Sequence, residues 1–355
     1  MAPDSYEAAV GNVALIRRPG LRFYEVVGRS PEAMLTGILS GSMPPAGRPT
    51  PGGGRRGRMP SSGILTPKGH LVSDSRVARL EEAEGGALLL ELPEAAAEAA
   101  LDHFRQYLPP RLARVVPPEE PLAAVSVVGP ATAELLAATL PWATVAELDD
   151  MEEGDAWWHG RNGPPDLLVV RNGEVTPLAF DLIAGETRLA SLVATFRGRG
   201  VPEGSADLWE ILRVERGRPA FGVEMDGDTL PQEAGIEART VDYGKGCFTG
   251  QEVLVRIRDR GHVNRHLRGL LFGAGPPPPR GTPLYRHGSE QPAGEVRSAI
   301  RSPGFGQAIG LGYVRREVEP RATLRAGSPG GPDVGLRAID SSGWVLVEGD
   351  PGFNP

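Results

Sequence analysis

Six short strand-like runs, parted by clusters of turn-forming residues, fill the C-terminal part of the chain, and they leave it little choice of architecture. They are 267–272, 283–285, 294–300, 308–314, 322–326 and 335–339. An open sheet of such short strands would leave two unpaired edges. Their even spacing therefore predicts a small closed β-barrel over residues 267–345. Gly275 and the four prolines that follow predict a stiff connector after the first run.

Upstream, strands and helices alternate irregularly. Pro31 with Met34, Leu35, Ile38 and Leu39 has the pattern of a short amphipathic helix. Residues 71–75, 77–80 and 87–92 read as antiparallel strands, and the alanine-rich 94–107 as a helix. Residues 122–128 form a strand pattern closed by Gly129 and Pro130, with a helix following through Leu136. A hairpin is expected over 166–180 and a helix over 186–196. Hairpins among helices favour an α+β fold with antiparallel sheets over a doubly wound parallel sheet. No glycine-rich phosphate loop follows a strand, so no nucleotide motif is offered. The boundaries predicted are an N-terminal α+β lobe at 1–120, a second at 121–205, a return segment at 206–266, the barrel at 267–345 and a tail at 346–355. A monomer is expected.

Residues 40–63 interrupt the first lobe. They are dense in Gly and Pro and poor in apolar side chains. Such a segment has little to bury against its ordering entropy, so it is expected to be a disordered insertion. Its arginines 48, 55, 56 and 58 could touch RNA, but a solvated linker is the reading adopted.

At 355 residues the chain exceeds one compact core. A net charge of −7 argues against broad nonspecific nucleic-acid binding, and no direct DNA binding is expected. No apolar run reaches the roughly 18 residues of a membrane span, and MAPDSYEAAV does not read as a signal peptide. A cytoplasmic protein without membrane contact is therefore expected. The one cysteine, Cys247, excludes an intramolecular disulfide, and one chain cannot supply the four thiolates that usually hold an iron–sulfur cluster. His159, His262 and His266 show no convincing metal spacing, and no metal site is expected. Only two lysines occur, Lys68 and Lys245, each directly before a glycine. Where arginine serves nearly everywhere, a retained lysine suggests a site needing a compact ammonium, and two readings stay open: both face a binding cavity, or their placement is chance.

The densest chemistry lies in Lys245-Gly246-Cys247-Phe248-Thr249-Gly250-Gln251-Glu252. The glycines relax the backbone on both sides of the thiol. Thr249 and Glu252 have capping-box spacing, and a helix beginning there would favour a thiolate, as would Lys245. Two readings of Cys247 stay open: a reactive thiol, or a buried structural cysteine in a glycine turn. A strand is also open, since Val253, Val255 and Ile257 alternate.

This eight-residue run resembles the diagnostic motif of the YgfZ family, part of the glycine-cleavage T-protein superfamily. Arg213-Val214-Glu215-Arg216-Gly217, Pro231-Gln232-Glu233-Ala234-Gly235, Pro67-Lys68-Gly69, Gly294–Ala299 and Leu311–Glu317 resemble further elements of that superfamily. The resemblance implies a three-lobed ring of antiparallel-sheet domains, with a ferredoxin-like lobe and the C-terminal barrel, around a folate pocket. It implies tetrahydrofolate or another folate as cofactor, with Arg213, Glu215, Lys245, Gly246, Gln251, Glu252 and Lys68 binding it. Cys247 and Lys245 would carry the chemistry. Two departures stand out. Residues 171–175 hold a plain turn where T-proteins carry a pterin-gripping glutamate, and Gly246-Cys247 replaces an acidic-aromatic pair. Both disfavour aminomethyl transfer. The function implied is a folate-binding accessory factor for assembly or repair of iron–sulfur enzymes, tRNA-modifying ones included, with client or scaffold proteins as partners. The alternative is a tetrahydrofolate-dependent one-carbon transferase.

Overall fold

The computed structural model describes residues 3–50, 54–80, 86–159, 165–346 and 350. It divides into two compact units: Met1–Thr66, Val72–Trp209 and Thr240–Thr249 in the first, Pro67–Leu71, Glu210–Arg239 and Gly250–Pro355 in the second.

The first unit is built on two sheets. Eight strands run in the order Glu203–Gly204, Ala14–Arg17, Leu122–Val128, Ala179–Gly185, Leu167–Asn172, Asp155–His159, Gly54–Arg58, Arg48–Pro49. Five more run Ser61–Leu65, Leu71–Arg79, Leu88–Pro93, Leu21–Val27, Arg114–Val116. Every residue of Ala179–Gly185 is buried, because both faces of that strand are covered. Side chains alternate across a strand. Phe180, Leu182 and Ala184 join a core with Leu189, Leu192 and Phe196 of the helix Glu186–Gly198. Ile183 points the other way, into a core shared with Ala78, Leu89 and Phe23 of the five-stranded sheet. Ala97, Ala100 and Phe104 of the helix Glu94–Tyr107 cover the far face of that second sheet. Each fully buried Leu or Phe here contributes about 1.5–3 kcal/mol.

One polar cluster crosses the core between the sheets. Asp181 is wholly buried and accepts from Ser126 at 2.6 Å, Asn172 at 2.7 Å and Arg76 at 2.6 Å. Arg76 also grips Glu91 through Nε at 2.8 Å and Nη2 at 2.6 Å. Arg18 lies 3.7 Å from Asp181 and stacks on the Trp209 ring at 3.4 Å. Burial alone would raise the Asp181 carboxyl, but Arg76 and Arg18 outweigh it and hold the group below its ordinary value. Burial likewise opposes the Arg76 charge, and Glu91 and Asp181 more than compensate.

Two expectations change in this unit. The lobes drawn at 1–120 and 121–205 share one sheet, since Ala14–Arg17 pairs with Leu122–Val128 and Gly54–Arg58 pairs with Asp155–His159. Residues 40–63 are not a disordered insertion where described. Gly54–Arg58 adds a strand to the sheet, Ser61–Leu65 adds one to the other, and Ser40 and Met59 are fully buried. Backbone pairing and glycine packing order this segment in place of apolar side chains. Cβ atoms added at Gly47 and Gly57 would sit 2.1 Å and 2.7 Å from the Trp158 ring. Residues 51–53 lie outside the described residues.

In the second unit a six-stranded barrel closes as expected, in the order Arg265–Gly273, Gln307–Arg315, Pro292–Ser302, Pro283–Arg286, Thr323–Ala326, Asp333–Arg337. The last strand pairs back onto the first, Leu270 opposite Leu336. Leu270, Leu284, Val296, Leu324, Val334 and Leu336 fill its interior. Outside, Val214 and Trp344 pack on Leu267, Leu271 and Tyr313. Gly269 has to be small, since a Cβ there would lie 2.4 Å from the Trp344 ring. Most of the predicted tail lies outside the described residues. Among the described residues no helix is long and apolar enough to cross a membrane.

Candidate functional site: a pinned loop carrying an exposed thiol

The stretch Thr240–Thr249 is a loop sewn onto residues 36–42. Ser40 begins the seam: its Oγ donates to the Thr240 carbonyl at 2.6 Å and accepts from Gly63 N at 2.9 Å. The Ser40 carbonyl accepts from Asp242 N at 2.9 Å. Asp242 closes a turn, accepting from Gly244 N at 2.8 Å and from the Ser42 hydroxyl. The Ser42 bond, followed by that of Gly244, lowers the Asp242 carboxyl below its usual range.

Lys245 is the centre of the seam. Its Nζ donates to the carbonyls of Thr36 at 2.8 Å, Gly41 at 3.0 Å and Leu39. Three N–H donors meet three carbonyls just past the short helix Pro31–Thr36. The ring of buried Phe248 lies 5.2 Å from the same ammonium. Partial burial pushes Lys245 down to about 8, with Asp242 opposing. Thr249 N, bonded to the Gly37 carbonyl at 3.0 Å, fastens the far end. Between these anchors Gly246 and Cys247 are exposed. The buried structural reading of Cys247 therefore gives way to an accessible thiol.

The remaining motif residues are placed differently from expectation. Gln251–Arg260 is a helix, which resolves the helix-or-strand alternative. Its N-cap is Gly250 at φ +83°, with no side-chain cap, so the Thr249–Glu252 capping box does not form. Thr249 Oγ1 instead approaches the Gly37 carbonyl at 3.4 Å, and exposed Glu252 pairs with Arg256 at 3.1 Å. Gln251 is half-buried at the first turn. Lys68 is exposed in a turn, beside Gly69 at φ +81° against Val253 and Leu254. Lys245 differs from its expected orientation, since its ammonium is directed onto backbone carbonyls.

Arg213 is 1% exposed. Nη1 donates to Glu224 at 3.0 Å and to the Arg218 carbonyl at 3.0 Å, while Nε and Nη2 grip Glu210, the former at 2.9 Å. Burial works against this charge, yet Glu224 and Glu210 raise its pKa above the ordinary value. Glu215 accepts from Gly304 N at 3.1 Å and from the Ser302 hydroxyl, fixing the turn between two barrel strands. Both residues, expected at a ligand, are engaged with protein groups here. Pro231–Ala234 is a helical turn ended by Gly235 at φ +71°, with Glu233 held by Arg265 at 3.0 Å.

Sequence reasoning missed Ser40, Ser42 and Asp242, whose signal is small polar side chains beside the motif's distant partner segment. It also missed Asp181, a single charge inside the apolar run Ala179–Ala184. Among the described residues no group of three His, Cys, Asp or Glu could hold a metal ion.

Residues 265–332 match the glycine cleavage T-protein C-terminal barrel domain. An aminomethyltransferase of Thermosynechococcus vestitus is 30% identical over 217 residues, 59% of this chain and 55% of that protein. One from Moorella thermoacetica is 35% identical over 163 residues, 44% of this chain and 43% of that one. The tRNA-modifying protein YgfZ of Shigella dysenteriae is 29% identical over 167 residues, 44% of this chain and 51% of that protein. The matched stretches thus span about half the length of these relatives. The crystal structure of aminomethyltransferase T from Bartonella henselae superposes with a TM-score of 0.78 at 18% identity, covering 95% of this chain and 88% of that one. The chain thus shares the α+β fold of that aminomethyltransferase T, and its residues 265–332 match the glycine cleavage T-protein C-terminal barrel domain.

Proposed function

We propose that this chain is a folate-binding accessory protein that supports assembly or repair of iron–sulfur enzymes, tRNA-modifying ones among them, through Cys247. It would act as a cytoplasmic monomer, with a cluster or its iron as cargo and client or scaffold proteins as partners. The observation that carries the reading is the exposed Cys247 on a loop pinned by Lys245. A thiol exposed on a pinned loop is suited to meet a partner's metal or sulfur. The sequence around it has the YgfZ-type form, and a YgfZ protein is among the similar chains.

Tetrahydrofolate, or another folate, is the cofactor proposed. Arg213 and Glu215 fit a ligand poorly, because their charged atoms are engaged by Glu210, Glu224, Ser302 and Gly304. The folate contacts proposed therefore fall on Lys68, Gln251 and Glu252 of the second unit. Lys245 holds the Cys247 loop through the carbonyls of Thr36 and Gly41.

The deciding experiment compares Cys247→Ser with the parent in two assays: folate binding by titration, and recovery of an iron–sulfur client's activity in cells lacking the chain. Unchanged binding with lost recovery is expected. Full recovery by the serine variant would remove the accessory role. The aminomethyltransferase relatives give the second reading its weight. Aminomethyl transfer to tetrahydrofolate that survives Cys247→Ser would establish it instead.

A further inference from the structure

The edge of the eight-stranded sheet gathers three arginines on one face. Arg48 stands directly opposite Arg56, and Arg58 directly opposite Asp155. Directly opposed residues in antiparallel strands project to the same side, and like charges so placed repel. Together with Glu147 and Asp150 they line a cavity of about 260 Å³.

The ion pairs in that cavity are incomplete. Arg58 reaches Asp155 at 3.1 Å. Arg56 lies over the Trp157 ring at 4.3 Å, but its Nε and Nη2 have no hydrogen-bond partner among the described residues. Those two nitrogens form the edge that Arg76 presents to Glu91 and Arg337 to Asp350. In Arg56 that fork is unfilled. Glu147 comes within 3.3 Å of Nη2 without bonding it, and its other oxygen is taken by the Thr144 hydroxyl at 2.5 Å. The exposed Arg48 side chain makes no hydrogen bond or ion pair among the described residues. Charges on a sheet edge often serve only to prevent edge-to-edge pairing. Such charges need no enclosure, whereas these line a cavity.

We infer that this cleft seats a terminal phosphate group, as in a phosphate monoester or pyrophosphate. Arg48 and Arg56 project to the same side of the strand pair, and two guanidinium groups there call for more than the single charge of Glu147. A terminal phosphate carries about −1.5 to −2 and three strong acceptor oxygens, whereas an internal phosphodiester carries a single charge. The cavity has room for a phosphoryl group. Asp150 also lines the cavity and opposes anions in general, so the phosphate must engage the open Nε–Nη2 edge of Arg56. This site is independent of the folate and thiol roles proposed above.

The test is calorimetric titration of the full chain with pyrophosphate and with adenosine monophosphate at constant ionic strength, followed also by tryptophan fluorescence. Saturable binding is expected, weakened about tenfold or more in both Arg48→Gln and Arg56→Gln. Should Arg56→Gln melt early, Arg48→Gln decides alone, because Arg48 is exposed. No saturation at millimolar pyrophosphate, or parental affinity in Arg48→Gln, overturns the inference. It is also overturned if an oligonucleotide with blocked ends binds as tightly as pyrophosphate and loses that binding in Arg48→Gln. The cleft would then read an internal backbone.

Discussion

Lys245 Nζ donates to the Thr36 carbonyl at 2.8 Å, across 209 positions of sequence. With Gly41 and Leu39 accepting as well, one side chain fixes the base of the Cys247 loop. Lys245→Met should leave those carbonyls without their donor, at a cost of about 1–3 kcal/mol. Denaturant unfolding measures the loss. Hydrogen exchange should rise first at 240–249, and alkylation of Cys247 should change in rate.

Only two lysines occur, so Lys245 can be titrated individually by nitrogen NMR of labelled lysine. Its folded pKa is lowered from 10.5 to about 8, chiefly by burial. One of two signals should titrate near that value, and Lys245→Met should remove it. The sign follows from proton binding. Between about 8 and 10.5 the unfolded chain holds the proton longer, so this group alone makes stability rise with pH. The neutral amine keeps two N–H donors and part of the seam.

Asp181 supplies an acid-side dependence of opposite origin. Its folded pKa lies below the ordinary carboxyl value of 3.8, held down against burial by Arg76 and Arg18. Its stabilisation is complete above that value and is lost as pH falls through the folded pKa. Asp181→Asn should cost about 3–5 kcal/mol, because Arg76 and Arg18 then share a site with one carboxylate fewer. The variant should also show a shallower loss of stability in acid, measured by denaturant midpoints across pH.

Arg213 is predicted to matter for folding more than for ligand affinity. Glu224 is fully buried and depends on Arg213 for its charge partner. Arg213→Met should destabilise the protein by about 3–5 kcal/mol. Folate affinity, measured well below the new melting temperature, should stay within a few-fold of the parent. A tenfold loss of affinity in a chain of unchanged stability would restore Arg213 as a ligand contact.

The barrel was legible because its information is local: each strand is marked by its own flanking turns, and closure follows from the lack of other partners. The helix Glu94–Tyr107 was legible for the same reason. Residues 40–63 were not. Gly47 and Gly57 look like disorder by composition, and their role against Trp158 appears only once residue 158 is adjacent. In the candidate site, Lys245 and Cys247 could be singled out from their motif, but the direction of the ammonium could not. Its acceptors are backbone carbonyls, and any sequence at 36–41 has those. Arg213 shows a related limit: a motif marks a residue without saying whether its charge is met by a ligand or by Glu224.

The pairing of Ala14–Arg17 with Leu122–Val128 and then with Glu203–Gly204 bears on how the chain emerges from the ribosome. The N-terminal strand waits for more than a hundred further residues before its first partner exists, and the sheet is complete only after residue 204. Lys245 arrives later still, so the seam to residues 36–41 closes more than two hundred residues after that segment is made. Contacts of such separation form slowly and leave strand edges open meanwhile. Nascent chains halted before residue 245 would present an unsealed 36–41 segment to chaperones, and the thiol loop is the last piece of the first unit to be translated.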